Sequence, residues 1–127
     1  MCGIAGIVSQ AEIAPEVLQR MTQAIAHRGP DAEGFFEEGP VHLGHRRLSI
    51  LDTSARGNQP MHDATGRYVL IHNGEIYNFR QVRQELGFAH GTETDTEVIL
   101  AAYLRWGPAC LSKFAGMWAF AIWDRVE

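Results

Sequence analysis

The stretch Met1-Cys2-Gly3-Ile4-Ala5-Gly6-Ile7-Val8 opens the chain with a cysteine and an apolar run. The run predicts a buried β-strand over Cys2 to Val8, which would hold the terminus in a fixed position. Removal of Met1 would leave a thiol and a free α-amine on Cys2. An α-amine titrates at about pH 7.7–8.0, so a large share of it is neutral and able to take the thiol proton. Cys2 is a candidate nucleophile with its own base; the alternative is a small buried apolar residue.

The second informative stretch is Asn73-Gly74-Glu75-Ile76-Tyr77-Asn78, which follows the apolar segment Tyr68-Val69-Leu70-Ile71. Its first two residues are placed where a strand runs into a turn. The Asn73 side-chain amide and the Gly74 backbone N–H are two donors that could form an oxyanion hole. An ordinary hairpin turn, for which Asn-Gly is a strong signal, is the alternative.

The remaining pattern predicts a mixed domain of strands and helices. Helices are predicted near Pro15 to Ala26, Phe79 to Leu86, Asp95 to Trp106 and Pro108 to Lys113. Further strands are predicted around Gly34 to Phe36, Val41 to Gly44, Leu48 to Leu51, Tyr68 to His72 and Met117 to Trp123. The last segment is continuously apolar and aromatic, which is typical of a strand buried on both faces.

Composition limits the classes of function. A chain of 127 residues with 46% hydrophobic residues is long enough for one domain with a real core. The net charge of −4, without a basic run, argues against binding to nucleic acid or to an anionic membrane. No apolar segment reaches the length of a membrane span and no signal sequence is recognisable, so a cytoplasmic location is expected. Two cysteines, Cys2 and Cys110, do not make a disulfide framework, and Cys110 is interpreted as a buried filler.

The sequence does not predict a metal site or a phosphate-binding loop. His42 and His45 are three residues apart on a predicted strand and would therefore point to opposite faces. No glycine-rich loop with a lysine is present. We expect no metal and no cofactor in this domain.

The chain carries four separated motifs, in the order Cys2-Gly3-Ile4, His27-Arg28-Gly29-Pro30-Asp31, Gly44-His45-Arg46-Arg47-Leu48-Ser49-Ile50-Leu51-Asp52 and Asn73-Gly74-Glu75-Ile76-Tyr77-Asn78. Together they resemble the glutamine-hydrolysing domain of class II amidotransferases, the N-terminal nucleophile type, and among them most closely that of asparagine synthetases. The resemblance covers essentially all 127 residues. Related amidotransferases that make glucosamine phosphate or phosphoribosylamine share the start and the His-Arg-Gly segment, but usually differ after that segment and after the Asn-Gly pair.

The resemblance implies that Cys2 attacks the side-chain amide of glutamine, expels ammonia and leaves a thioester that water cleaves. Asn73 and Gly74 would hold the oxyanion of the tetrahedral intermediate. Because these roles need only a thiol, an amine and hydrogen-bond donors, they agree with the chemistry of the residues themselves.

The resemblance also implies how free glutamine is recognised. Arg47 would pair with the α-carboxylate and Asp95 with the α-ammonium, while Glu75 and the backbone of Leu48, Ser49, Ile50 and Leu51 would supply supporting contacts. Each assignment has an alternative. Arg47 could be a solvated strand residue, and Asp95 could merely favour a helix N-terminus, since Thr94 and Glu97 form a capping box.

The fold implied by the resemblance is an α+β, four-layer αββα sandwich of the N-terminal nucleophile hydrolase type. Its last strands and a synthetase domain are expected to follow Glu127, so residues 1–127 are interpreted as an incomplete glutaminase domain. The resemblance implies that ATP and Mg²⁺ bind to that synthetase domain. The expected partners of residues 1–127 are the synthetase domain and L-glutamine. An unpaired sheet edge is then expected, which would favour self-association into a homo-oligomer.

Three functions remain open at this stage. The first is a glutaminase that supplies ammonia for ATP-dependent amidation of aspartate to asparagine or of a similar acceptor. A second is an amidotransferase of the same class with another acceptor, such as a sugar phosphate or a polysaccharide precursor. A third is a non-catalytic scaffold or regulatory fragment, which would bind glutamine without hydrolysing it.

Overall fold

The computed structural model describes residues 1–127 as six β-strands and three α-helices joined by loops and short 3₁₀ helices. The strands are β1 (Gly3–Val8), β2 (Ala32–Glu38), β3 (Val41–Arg47), β4 (Met61–His62), β5 (Tyr68–Ile76) and β6 (Gly116–Asp124). The helices are α1 (Pro15–Ala24), α2 (Phe79–Leu86) and α3 (Asp95–Trp106), and Gly107–Lys113 form a 3₁₀ helix.

The first antiparallel sheet, called sheet A, has the strand order β1-β3-β2 and is covered on one face by α1. Pro15 at the first helical turn pre-sets the backbone for α1, and Leu18 and Thr22, one turn apart, are buried against the sheet. Gly44 in β3 makes this close packing possible, because a Cβ there would lie 2.2 Å from the Thr22 hydroxyl oxygen. Sheet A and α1 are therefore two of the layers.

The second antiparallel sheet, called sheet B, has the order β4-β5-β6 and carries α2 and α3 on its far side. Alternate residues of β5 face opposite ways, as the pleat requires. Val69 and Ile71 pack against Val41 and Leu43 of sheet A, whereas Leu70 belongs to the cluster that includes α2 and α3. The order of layers is α1, sheet A, sheet B, α2 with α3, which is the predicted αββα sandwich.

Helix α3 begins where the capping pattern predicts. The Thr94 side chain accepts a hydrogen bond from the Glu97 backbone N–H at 3.3 Å. The Glu97 carboxylate in turn accepts from the backbone N–H groups of Gly91 and Thr92, so it orders the loop before the helix. This loop brings Asp95, the first residue of α3, next to β5.

Two predicted strands differ from the structure. Leu48 to Leu51 form a loop, because β3 ends at Arg47 where its partners β1 and β2 run out of paired residues. The β6 strand exists, but it is not buried on both faces. It lies at the edge of sheet B, and its Met117 is 65% exposed. A run of apolar residues cannot by itself distinguish a central strand from an edge strand.

The remaining predicted elements are close to those observed. The helices at 79–86 and 95–106 have the predicted bounds, α1 ends two residues early, and the predicted helix at 108–113 is a 3₁₀ helix. Cys110 is completely buried and, like Cys2, is a free thiol. None of the helices is long and apolar enough to cross a membrane.

Candidate active site

A pocket open to solvent lies at the end of β3 and beside the C-terminal half of β5. Eight of the ten residues proposed from the sequence line it, namely Cys2, Arg47, Leu48, Ile50, Leu51, Gly74, Glu75 and Asp95. Ser49 and Asn73 lie beside it: Ser49 lines a neighbouring depression, and its backbone N–H donates to the Asp31 carboxylate at 2.7 Å.

Cys2 precedes β1 and is held at the pocket by contacts to its side-chain sulfur and to its carbonyl oxygen. The Leu48 N–H donates to Cys2 Sγ at 3.4 Å, and Sγ lies 3.7 Å from the Leu48 carbonyl oxygen. The Arg28 Nε donates to the Cys2 carbonyl oxygen at 3.0 Å. Met1 also lines the pocket. While Met1 is attached, the Cys2 nitrogen is part of a peptide bond and cannot act as a base.

Arg47 ends β3 and is 4% exposed, so it is not a solvated strand residue. Its guanidinium donates to the carbonyl oxygens of Leu51, Asp52 and Ser54 and to Asn58 Oδ1. All four acceptors are neutral, and no carboxylate lies within 4.0 Å of this guanidinium. The pocket therefore contains a rigid, buried positive charge without a counter-ion.

Asp95 is 6% exposed and supplies the opposite charge. Its Oδ2 accepts a hydrogen bond from the Ile76 backbone N–H at 2.8 Å, but no cation lies within salt-bridge distance. Burial raises the pKa of Asp95, and the Ile76 hydrogen bond opposes that rise. Asp95 stands at the first turn of α3, as the helix-start interpretation predicts, and its role toward an ammonium group stays a prediction.

The Asn-Gly pair is not in a turn. Strand β5 continues through it to Ile76 and stays paired with β6, with Asn73 opposite Ala119 and Gly74 opposite Trp118. Gly74 has a φ of 141°, and a Cβ there would lie 2.3 Å from the Met117 carbonyl oxygen, so only glycine fits. The hairpin interpretation is wrong because the ladder to β6 does not break at this point.

Gly74 belongs to a row of N–H groups that point away from β6. The Tyr77 N–H donates to the carbonyl oxygen of Ala115, the residue before β6. The N–H groups of His72 and Ile76 instead donate to side chains on the opposite edge of β5. Since N–H direction alternates along an antiparallel strand, the Gly74 N–H lies on that opposite edge too, at the pocket. The neighbouring Asn73 has a buried side-chain oxygen without a hydrogen-bond partner.

Two buried histidines were absent from the sequence-based site: His72, which lines the pocket, and His45, which contacts His72. His45 Nε2 is 3.0 Å from the His72 carbonyl oxygen, and His72 Nδ1 is 3.2 Å from the Thr96 hydroxyl. Burial lowers the pKa of both imidazoles to about 4, so both are neutral at pH 7. The sequence feature that could have pointed to them is a histidine at a core-facing position of an apolar strand.

Chemically, the pocket combines a thiol with one buried charge of each sign and a row of backbone donors. An unpaired buried cation and an unpaired buried anion are costly unless a ligand compensates them. A zwitterion, such as a free amino acid, carries the two complementary charges. The two buried charges of the pocket are therefore complementary to those of such a ligand.

Comparison with known proteins agrees with this chemistry. Residues 1–127 match the glutamine amidotransferase domain family. The chain is 41% identical, over its whole length, to asparagine synthetase [glutamine-hydrolyzing] 1 of Bacillus subtilis, of which it covers 21%. It is 40% identical to asparagine synthetase B [glutamine-hydrolyzing] of Escherichia coli, over 98% of this chain and 23% of that protein. The chain thus spans about a fifth of the length of these relatives.

Among solved structures, the chain resembles the glutamine phosphoribosylpyrophosphate amidotransferase from B. subtilis, complexed with ADP and GMP. The TM-score is 0.80 over 96% of this chain and 35% of that one, with 24% sequence identity. At this identity the likeness establishes the fold alone. The predicted N-terminal nucleophile fold is thereby confirmed.

Proposed function

The chain belongs to the glutamine amidotransferase domain family, and from this membership and its pocket we propose that it hydrolyses L-glutamine to glutamate and ammonia through a thioester on Cys2. The observation that carries the proposal is the pair of buried, oppositely charged side chains, Arg47 and Asp95, that line one pocket without pairing with each other or with any other charge. Cys2 lines the same pocket.

Recognition of the substrate follows from that pair. The α-carboxylate of glutamine supplies the anion that Arg47 lacks, and the α-ammonium supplies the cation that Asp95 lacks. Because Arg47 is already held by four neutral acceptors, little side-chain entropy is lost when the carboxylate binds. A glutamine within a protein chain has neither terminal charge and would leave both groups unpaired. Glu75 and the backbone of Leu48 to Leu51 provide the supporting contacts.

The reaction begins once Met1 is removed. The α-amine of Cys2 takes the thiol proton, and the thiolate attacks the Cδ carbonyl carbon of glutamine. The tetrahedral intermediate collapses when the α-ammonium of Cys2 gives a proton to the side-chain nitrogen of glutamine, which departs as ammonia. Water, deprotonated by the same amine, then attacks the thioester and releases glutamate. The Leu48 N–H, 3.4 Å from Sγ, is placed to stabilise the thiolate.

The oxyanion of each tetrahedral intermediate needs donors that are already in place. The Gly74 N–H at the pocket edge of β5 is one donor, and the Asn73 side-chain amide is the second. Loss of one such donor typically costs about 10²–10³ in rate.

The fate of the ammonia is the least constrained part of the proposal. Relatives at 40–41% identity are named glutamine-hydrolysing asparagine synthetases, so we propose that the ammonia amidates aspartate or a similar acceptor in a synthetase domain that uses ATP and Mg²⁺. No cofactor takes part in the steps derived for this domain. Two free cysteines fit a reducing, cytoplasmic location.

The test is the intact mass of the protein before and after treatment with an electrophilic glutamine analogue. Loss of Met1 together with a single adduct supports the proposal if the adduct is absent in Cys2→Ala and retained in Cys110→Ala, the matched control at a fully buried cysteine. Glutamate release should be lost in Cys2→Ala, whereas glutamine binding remains. Protein without Met1 that forms no adduct and releases no glutamate would contradict the assignment of Cys2.

A further inference from the structure

The pocket edge of β5 has almost no strand partner. Strand β4 pairs with it only through Met61 and His62, opposite Leu70 and Val69. Beyond that point the N–H groups of His72, Gly74 and Ile76 have no partner strand along this edge. A buried backbone N–H without a partner is unfavourable, so each group needs an acceptor from elsewhere.

Side chains replace the missing strand at the first and last of these three positions. Gln59 Oε1 accepts from the His72 N–H at 2.6 Å, and Asp95 Oδ2 accepts from the Ile76 N–H at 2.8 Å. Gly74, between them, is the position whose N–H this arrangement leaves to the pocket. Two flanking peptides are thus held by side chains, and the central one faces the ligand.

Gln59 is itself fixed at both ends. It is 6% exposed, and its Nε2 donates to the Thr96 hydroxyl at 3.3 Å. Its backbone presses on β2 at Gly34, where a Cβ would lie 2.0 Å from the Gln59 carbonyl oxygen. Thr96 belongs to the first turn of α3, one residue after Asp95. The amide of Gln59 therefore ties the β5 edge to the helix that carries the proposed ammonium-binding acid.

A third contact reaches the same residue from the other sheet. His45 Nε2 lies 3.0 Å from the His72 carbonyl oxygen, so both polar groups of His72 are held by side chains from outside sheet B. His72 directly precedes Asn73 and Gly74. Any rotation of its peptide planes would move the two proposed oxyanion donors.

We propose that Gln59 is a positioning residue for the oxyanion site, which fixes the His72 peptide so that the Gly74 N–H points at the reacting carbonyl oxygen. This rests on the proposed function, since it needs an oxyanion to be stabilised. Gln59 also lines the pocket, but in this role it acts through the His72 backbone and not through a contact with the substrate. It acts on the transition state, because displacement of a donor by a fraction of an ångström weakens stabilisation without removing the charges that bind glutamine.

The test compares Gln59→Met and Gln59→Asn with the wild type after removal of Met1. Methionine keeps the length of the side chain but lacks the acceptor, and asparagine keeps the amide but is one methylene too short to reach His72. We expect kcat for glutamate release to fall about 10- to 100-fold in both, less than for outright loss of a donor, with KM changed less than about 3-fold. Gln84→Met, the same replacement at an exposed site on α2, is the matched control and should behave as wild type.

Amide hydrogen exchange supplies a readout in the wild type that needs no variant. The His72 and Ile76 amides should exchange slowly and the Gly74 amide faster, and Gln59→Met should lose protection at His72. Equal exchange at His72 and Gly74 in the wild type, or Gln59 variants that retain kcat or change KM alone, would overturn the inference while leaving the proposed function intact. Wild-type protein without Met1 that shows no glutaminase activity would overturn both.

Discussion

The stability of this protein should fall steeply between pH 7 and pH 5, because two histidines are buried in the neutral form. Burial lowers the pKa of His72 from 6.5 to about 4. Burial is also the main reason why the pKa of His45 is lowered to about 4, and the neighbouring charge of Arg47 lowers that pKa further. In the unfolded chain both imidazoles return to their ordinary pKa near 6.5.

The sign follows from where the proton binds. Above about pH 6.5 the two histidines are neutral in both the folded and the unfolded chain. Between about pH 6.5 and 4 they take up protons only in the unfolded chain, so acid favours unfolding. One pKa unit corresponds to about 1.4 kcal/mol, so at pH 5 each histidine lowers the free energy of unfolding by about 2 kcal/mol and the pair by about 4 kcal/mol. Domains of this size have only about 5–15 kcal/mol in total.

Few other groups interfere in this window. The pKa values of Asp52 and Asp124 are lowered to about 2, so these carboxylates lose their stabilising contribution only at more acidic pH. Asp95 acts in the opposite direction, because burial raises its pKa and a proton taken up by the folded state favours folding.

The measurement is urea unfolding followed by circular dichroism at pH 7, 6 and 5. His72→Gln should reduce the dependence on pH by about half, whatever its effect on stability at pH 7. His62→Gln, at an exposed histidine, is the control and should keep the full dependence. A wild-type change below about 1 kcal/mol, or an unchanged slope in His72→Gln, would refute the reasoning.

The other two predictions concern the substrate. Arg47→Lys should raise KM for glutamine roughly 10- to 100-fold, because an ammonium has only three donors and cannot keep the four neutral oxygens that fix the guanidinium while also meeting the carboxylate. A hydrogen bond to a charged group is worth about 1.5–3 kcal/mol. Steady-state kinetics would check this against Arg56→Lys, an exposed control, and an unchanged KM would remove Arg47 from the binding site. Asn73→Ala should lower kcat about 10²–10³-fold with little change in KM, and a rise in KM at constant kcat would show that Asn73 binds the ground state instead.

The sequence predicts the parts of this molecule that depend on local pattern. The bounds of α2 and α3 follow from the period of Phe79 and Val82 and from the Thr94 cap, and those elements are as predicted. The predictions of a strand over Leu48 to Leu51 and of a last strand buried on both faces were wrong, because both depend on which strands lie alongside. Partners in a sheet are set by tertiary packing, which a single segment does not encode.

The candidate site shows the same division. Cys2, Arg47 and Asp95 stand in recognisable motifs, and the structure places them around one pocket. Gln59, His72 and Thr96 stand in no recognisable motif, because their contribution arises only when a loop, a strand and a helix meet. Asn58-Gln59-Pro60 resembles an ordinary polar turn, and nothing in it indicates that the glutamine amide replaces a strand.

The arrangement of charges explains why the site should be formed before substrate arrives. A flexible arginine would lose side-chain entropy on binding, but Arg47 is held by four neutral oxygens that leave its positive charge uncompensated. Asp95 is likewise fixed by the Ile76 N–H, which leaves its negative charge uncompensated. The free protein therefore bears the cost of two buried, unpaired charges, and a ligand with the opposite charges relieves it. Because Asp95 also holds the β5 edge next to Gly74, the residue proposed to bind the ammonium and the donor proposed to stabilise the oxyanion belong to one hydrogen-bonded unit.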